Sequence, residues 1–141
     1  MKFPIILILF MLTSCVSVDF TCPYLLSDFE ILPAQGEKRE LCFSFFNSSE
    51  EDIDSFSISF DLYDSDGNNP FVFSNRFSCI FSDAVLSQES KVFTVDLSPY
   101  ESIEFESNLQ LDCFFVREIR YASGRIWKDP YGMYCSLEEF E

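Results

Sequence analysis

The 141-residue chain is predicted to be all-β: an antiparallel β-sandwich of about seven strands in a single domain. Three observations carry that reading. Apolar and polar residues alternate with period two along much of the chain, which is the pattern of strands with one buried and one wet face. Clusters of Asn, Asp, Ser, Gly and Pro separate these runs at short intervals. No 3.6-residue periodicity of useful length appears, and with 48% hydrophobic and 18% aromatic content the chain is too apolar for disorder despite its charge.

In chain order, Lys2 is followed by "FPIILILFML", ten residues of which only Pro4 is not strongly apolar. A charged start and a short apolar run make a secretory signal, and a membrane-spanning helix would need about 20 apolar residues. Residues 1–14 are therefore expected to be removed. "LTSC", Leu12 to Cys15, resembles the lipobox of bacterial lipoproteins, in which an aliphatic and two small residues precede a cysteine that is lipidated and becomes the new N-terminus. The alternative is an ordinary cut after Ser17, leaving a soluble secreted protein. Residues 15–21 then form a short tether, and 22–141 one domain, too short for two separate cores.

Within the domain, "ELCFSFFN" alternates Leu41, Phe43 and Phe45 against Cys42 and Ser44. The most regular run is "DSFSISFDLYDSDGN": Phe56, Ile58, Phe60 and Leu62 point inward, with Ser55, Ser57, Ser59 and Asp61 on the wet face. "NPFVFSNRFSCIF" puts Phe71, Phe73, Phe77, Cys79 and Phe81 on one parity, and "KVFTVDL" puts Phe93, Val95 and Leu97 on another. Leu109 to Tyr121 reads as a long strand with Leu111, Cys113, Phe115 and Ile119 on one side, followed by a hairpin at "ASG" into "RIWK". The breakers are "NSSEED", "DSDGNNP", "SDAVLSQES" and "SPYESIEFES".

"FSISFDLYDSDGN" resembles the core motif of FxLYD-type and related immunoglobulin-like bacterial domains, where a strand ending in an aromatic and Tyr-Asp runs into an Asp-Gly turn. Together with the closing "VREIRYASGRIWKDPYGMY" it is similar to small lipoproteins of spirochaetes, whose last hairpin carries Tyr-x-x-Gly-x-x-Trp-x-Asp-Pro-Tyr/Phe-Gly. The likeness covers most of residues 38–134 and departs at Ala122-Ser123-Gly124, where an acidic-Gly pair is more usual. It implies a fold and an envelope address, but no activity.

Composition excludes more chemistry than it suggests. The net charge is -15, and loss of Lys2 leaves 24 acidic against 8 basic residues, or -16. Phosphate backbones would repel such a chain, so nucleic acid is not an expected partner, and membrane attachment must come through a lipid on Cys15. With no histidine and four glycines, the chain lacks imidazole-activated nucleophiles, imidazole metal sites and a Gly-rich phosphate loop. No cofactor is expected. A carboxylate-based envelope hydrolase is the remaining enzymatic alternative, since 24 acids place some pairs at the required separation by number alone.

Three side-chain groups are candidate sites. Asp64, Asp66 and Asn68 resemble the oxygen-rich start of a calcium loop, but Gly67 is fourth and Asn75 twelfth where an EF-hand needs Gly at six and Glu at twelve, so a hairpin turn is the expectation. Trp127, Tyr131 and Tyr134 could form an aromatic patch for an envelope protein partner, or Trp127 could pack on the end strand. Of six cysteines, Cys15 is spent on the lipid, leaving five. Cys79 and Cys113 both fall on inward parity and are the candidate disulfide if their strands lie in opposing sheets; Cys42 points outward, and Cys22 and Cys135 meet only if the chain ends do.

Overall fold

The computed structural model describes residues 21–32, 39–98 and 108–135. The signal segment, Cys15 and residues 16–20 of the tether lie outside the described residues. Seven strands follow one another: β1 (Tyr24–Leu32), β2 (Glu40–Asn47), β3 (Ile53–Tyr63), β4 (Arg76–Phe81), β5 (Ser90–Asp96), β6 (Gln110–Tyr121) and β7 (Ile126–Lys128). All pair antiparallel, in one sheet ordered β1-β2-β5 and another ordered β4-β3-β6-β7. The strand order is immunoglobulin-like, with the fourth strand beside the third instead of beside the fifth.

The sheets meet through phenylalanine. Phe45 of β2 stacks on Phe56 of β3 with ring centroids 4.3 Å apart, Phe43 meets Phe114 of β6 edge-on at 5.0 Å, and Phe93 of β5 meets Phe56 and Phe81 at 4.9 Å each. Such pairs contribute about 0.5–1.5 kcal/mol each beyond the apolar area they bury. The predicted inward sets of β2 and β3, together with Phe93, Val95 and Leu97, are all buried. Asn47 closes the end of this core. Its buried amide donates to the carbonyls of Glu51, Val85 and Leu86 at 2.8, 3.1 and 3.2 Å, while its Oδ1 accepts from the Ser49 amide and hydroxyl. The "NSSEED" turn and the 84–89 loop are thereby tied together.

Three expectations fail, each for a local reason. β4 starts only at Arg76: Asn69 accepts from the Phe71 amide and donates to the Phe73 carbonyl, so side-chain bonds replace ladder bonds, and Phe73 is 93% exposed instead of inward. Ser59 and Asp61 are buried, not wet. On their face Ser59 stands opposite Phe115, and Asp61 stands opposite Arg76, whose Nε and Nη2 grip its two oxygens at 2.7 and 2.8 Å.

The third failure is in β6, where two bulges shift the side-chain parity. From Leu62↔Leu111 to Ser59↔Phe115, β3 advances three residues and β6 four; from Ile58↔Val116 to Ser57↔Glu118 the steps are one and two. Each extra residue turns the following side chains over. Cys113, at φ 50, marks the first bulge. Phe114 and Val116 therefore face the core in place of Cys113 and Phe115, and after the second bulge Ile119 and Tyr121 face in again.

The proposed Cys79–Cys113 bridge is accordingly absent: both are free thiols, Cys79 half-buried and Cys113 exposed. Their strands flank β3 in the same sheet, and Cys79 stands opposite Ile58, whose other partner, Val116, is three residues past Cys113, so the two cannot face each other across the core. The disulfide joins Cys22 to Cys135, with Cα atoms 5.4 Å apart across a sequence separation of 113. In the chain-entropy account, closing so long a loop stabilises the fold by about 4–5 kcal/mol. Cys42 faces away from the core, beside Thr94 Oγ1 at 3.5 Å.

Two outcomes follow. Phe60→Asp places an unpaired charge at a position with no solvent exposure and should abolish the cooperative melt, whereas Ser57→Asp, on the opposite face, should shift it by no more than a few degrees; similar melts for the two would contradict the β3 register. Burial, with a smaller contribution from the Asp129 charge, pushes the Tyr24 phenol up to about 12 against a stabilising bond from the Val116 amide. The unfolded phenol ionises near pH 10, so this stability is complete below about pH 10 and is lost as pH rises through about 12, amounting to about 2–3 kcal/mol. Chemical denaturation between pH 9 and 12 should show that loss, and Tyr24→Phe should lose less stability over the same interval.

Candidate functional site

The outer face of the β4-β3-β6-β7 sheet is a trough with a serine floor. Register sets its rows: Ser55 beside Arg120 and Ile126; Ile80, Ser57, Glu118 and Lys128; then Ser78, Ser59 and Phe115. The small side chains of β3 leave a depression of about 650 Å³ between walls built on β4 and on β6 and β7. Ile80, 78% exposed, stands on one wall; Arg117, Arg120 and Lys128 line the trough with Glu118 among them. The second bulge makes this cluster, because Arg117 is the extra residue.

Glu118 accepts from Arg120 Nε at 2.7 Å and pairs with Lys128 Nζ at 3.2 Å, and these two bonds, Arg120 first, hold its carboxyl below the usual carboxylate range. One carboxylate thus serves two cations. Arg117 is held by Ser78 Oγ at 3.5 Å, with no carboxylate partner among the described residues. Three cations against one anion leave this face positive on a chain of charge -15.

The segment after β7 forms the end of the trough. Buried Asp129 accepts from the amides of Met133 and Tyr134 at 2.8 and 2.9 Å, and its own amide donates to the Arg117 carbonyl at 2.8 Å. Gly132 sits at φ 65, where a Cβ would come within 2.7 Å of Phe115 Cγ. Asp129 folds the loop, Gly132 lets it lie on Phe115, and Cys135 reaches Cys22. The "DPYG" run thus has a structural role, and its aromatic neighbours divide. Trp127 packs edge-on against Tyr24 at 5.8 Å, in the inward role, while Tyr131 is 80% and Met133 77% exposed, and Tyr134 is partly exposed. Tyr131 and Gly132 border a second depression of about 400 Å³ together with Arg76, Asp112 and Cys113.

Asp61 and Asp112 stand side by side across β3 and β6. Both are engaged: Asp61 in the two-pronged bond with Arg76, Asp112 in accepting the Cys113 amide at 2.8 Å. This is the arrangement of a structural ion pair. Asp64 is likewise a turn residue, since its Oδ1 accepts from the amides of Asp66 and Asn68 at 3.0 and 2.8 Å, with Gly67 at φ 80. Asp66 and Asn68 are exposed on that turn. Among the described residues no group of three or more potential metal ligands converges.

Sequence reasoning treated the serines of β3 as a solvated face and did not single out Arg117, Arg120 or Lys128. The available signal was that four of the nine basic residues fall between positions 117 and 128.

No family model and no curated protein matches the chain. Among solved structures, it is similar to the X-ray structure of Northeast Structural Genomics Consortium target SoR45, at 9% identity and a TM-score of 0.43 over 84% of this chain and 96% of that one. That likeness carries no inference about function.

Gly132→Ala should destabilise by about 2 kcal/mol or more, combining left-handed backbone strain with the clash on Phe115. Gly124→Ala, at φ 87 with nothing within 4 Å, should cost only the backbone share, about 1–2 kcal/mol. Equal losses in paired thermal melts would mean that the loop does not rest on Phe115.

Proposed function

We propose that the protein is a non-catalytic binding module of the cell envelope, anchored through a lipid on Cys15 and presenting the outer face of β4-β3-β6-β7 to a partner. The observation that carries the address is the run from Lys2 through "FPIILILFML" to "LTSC". The Cys22–Cys135 bridge supports it, because such bridges persist in oxidising compartments outside the cytoplasm. It also joins the start of the fold to its end, so the domain hangs from its tether as one closed unit.

The trough supports the binding reading. Its groups are serines, cations and one carboxylate already shared by two cations, a set suited to holding a ligand in place. Hydrolysis by two carboxylates would need a free pair about 5–9 Å apart, and Asp61 and Asp112 are both committed to the fold.

The test is partition between detergent and water. Each acyl chain contributes about 0.8 kcal/mol per buried CH₂, so a doubly or triply acylated Cys15 should carry the wild-type protein wholly into detergent. Cys15→Ser should release it to the aqueous phase or leave an uncleaved precursor. Wild-type protein found entirely in the aqueous phase would contradict the anchor and favour the secreted form cut after Ser17.

A further inference from the structure

We propose that the trough on the outer face of the four-stranded sheet binds a short acidic segment of another polypeptide in extended form; this rests on the binding-module reading above and names the partner's chemistry. Charge selects for acid. Arg117, Arg120 and Lys128 converge with Glu118 as the only acid among the trough's lining residues, on a chain that is otherwise strongly negative. An arrangement that concentrates cations where bulk charge is negative favours carboxylates locally while repelling long polyanions from the rest of the surface.

Shape and polarity select for a peptide. The lining runs from Ser55 through Ser57 to Ser78, which stands in the row of Ser59, four residue steps along β3 or about 14 Å, the length of four or five extended residues. Ser55 and Ser57 are partly buried residues that line the trough, and their hydroxyls make no hydrogen bond among the described residues, so they can donate to a ligand's carbonyl or carboxylate oxygens. Ile80 on one wall and Ile126 beside Arg120 interleave apolar surface with the cations. A chain that alternates acidic and apolar side chains meets both, whereas a phosphate polymer would leave Ile80 and Ile126 uncovered.

The experiment is selection from a displayed library of random peptides on the exported protein, purified from whichever fraction holds it, so that an error about Cys15 leaves the outcome unaffected. Bulk charge alone would enrich Lys and Arg; the trough should enrich Asp and Glu, interleaved with apolar residues. A synthetic copy of the strongest binder should lose about tenfold or more in affinity for the Arg117→Gln/Lys128→Gln variant, and should bind less well as salt rises. Lys91→Gln, on the other sheet, should bind as wild type, and matched melting curves show that the paired variant is folded. Enrichment of basic peptides, no enrichment at all, or equal affinity for wild type and the paired variant would overturn the proposal. Displacement of the peptide by inorganic polyphosphate at concentrations where free glutamate has no effect would assign the trough to phosphate polymers and overturn it as well.

Discussion

The structure depends on two extra residues in β6. A regular strand from Gln110 to Tyr121 would point Cys113 and Phe115 inward with Leu111, leaving Phe114 in water. The bulge at Cys113 sends Phe114 into the core, where it stacks on Phe60 at 5.5 Å and meets Phe29 and Phe43 edge-on. The same shift puts Phe115 on the outer face, beside Ser59. The second bulge restores the inward parity of Ile119 and Tyr121, so both halves of the strand feed one core.

The end of the chain depends on where Phe115 lies. Gly132 rests on that ring, Asp129 gathers the amides that bend the chain back, and Cys135 is carried to Cys22. The disulfide therefore locks an arrangement that β6 has already set. The second bulge has the chemical consequence: with Arg117 inserted ahead of Glu118, the trough gains a cation without gaining a carboxylate to pair with it. The packing that forms the core and the electrostatics that form the candidate site come from two bulges four residues apart on one strand.

The regular part of this fold was legible in the sequence because alternation is a one-strand property. β2 and β5 keep their parity from end to end, and β3 keeps it from Phe56 to Leu62 after a register shift between Ile53 and Ser55, so Leu41, Phe56 and Phe93 lie where the pattern puts them. A bulge is a two-strand property, set by what the partner strand opposes, and neither Cys113 nor Arg117 announces one. The mistaken Cys79–Cys113 pairing followed, because it took the parity of Cys113 from the pattern and required opposing sheets, whereas β4 and β6 lie in one sheet. The trough was missed for a related reason: serines read one strand at a time are a wet face, and become a floor only when β4, β6 and β7 raise walls around them. The turn at Asp64 to Asn68 was legible, since Asx bonding and a positive-φ glycine act within a few residues.

Thiol labelling tests the β6 geometry most directly. Cys113 is on the surface only because of the first bulge, with its thiol pushed above its ordinary value by partial desolvation and by the Asp112 and Asp61 charges, so the reaction is best run at mildly alkaline pH. With a maleimide in excess and the modified residue identified by mass spectrometry, Cys113 should react in the folded protein faster than half-buried Cys79 and at a rate independent of global unfolding. Protection of Cys113 until the protein unfolds would place it in the core and contradict the bulged register.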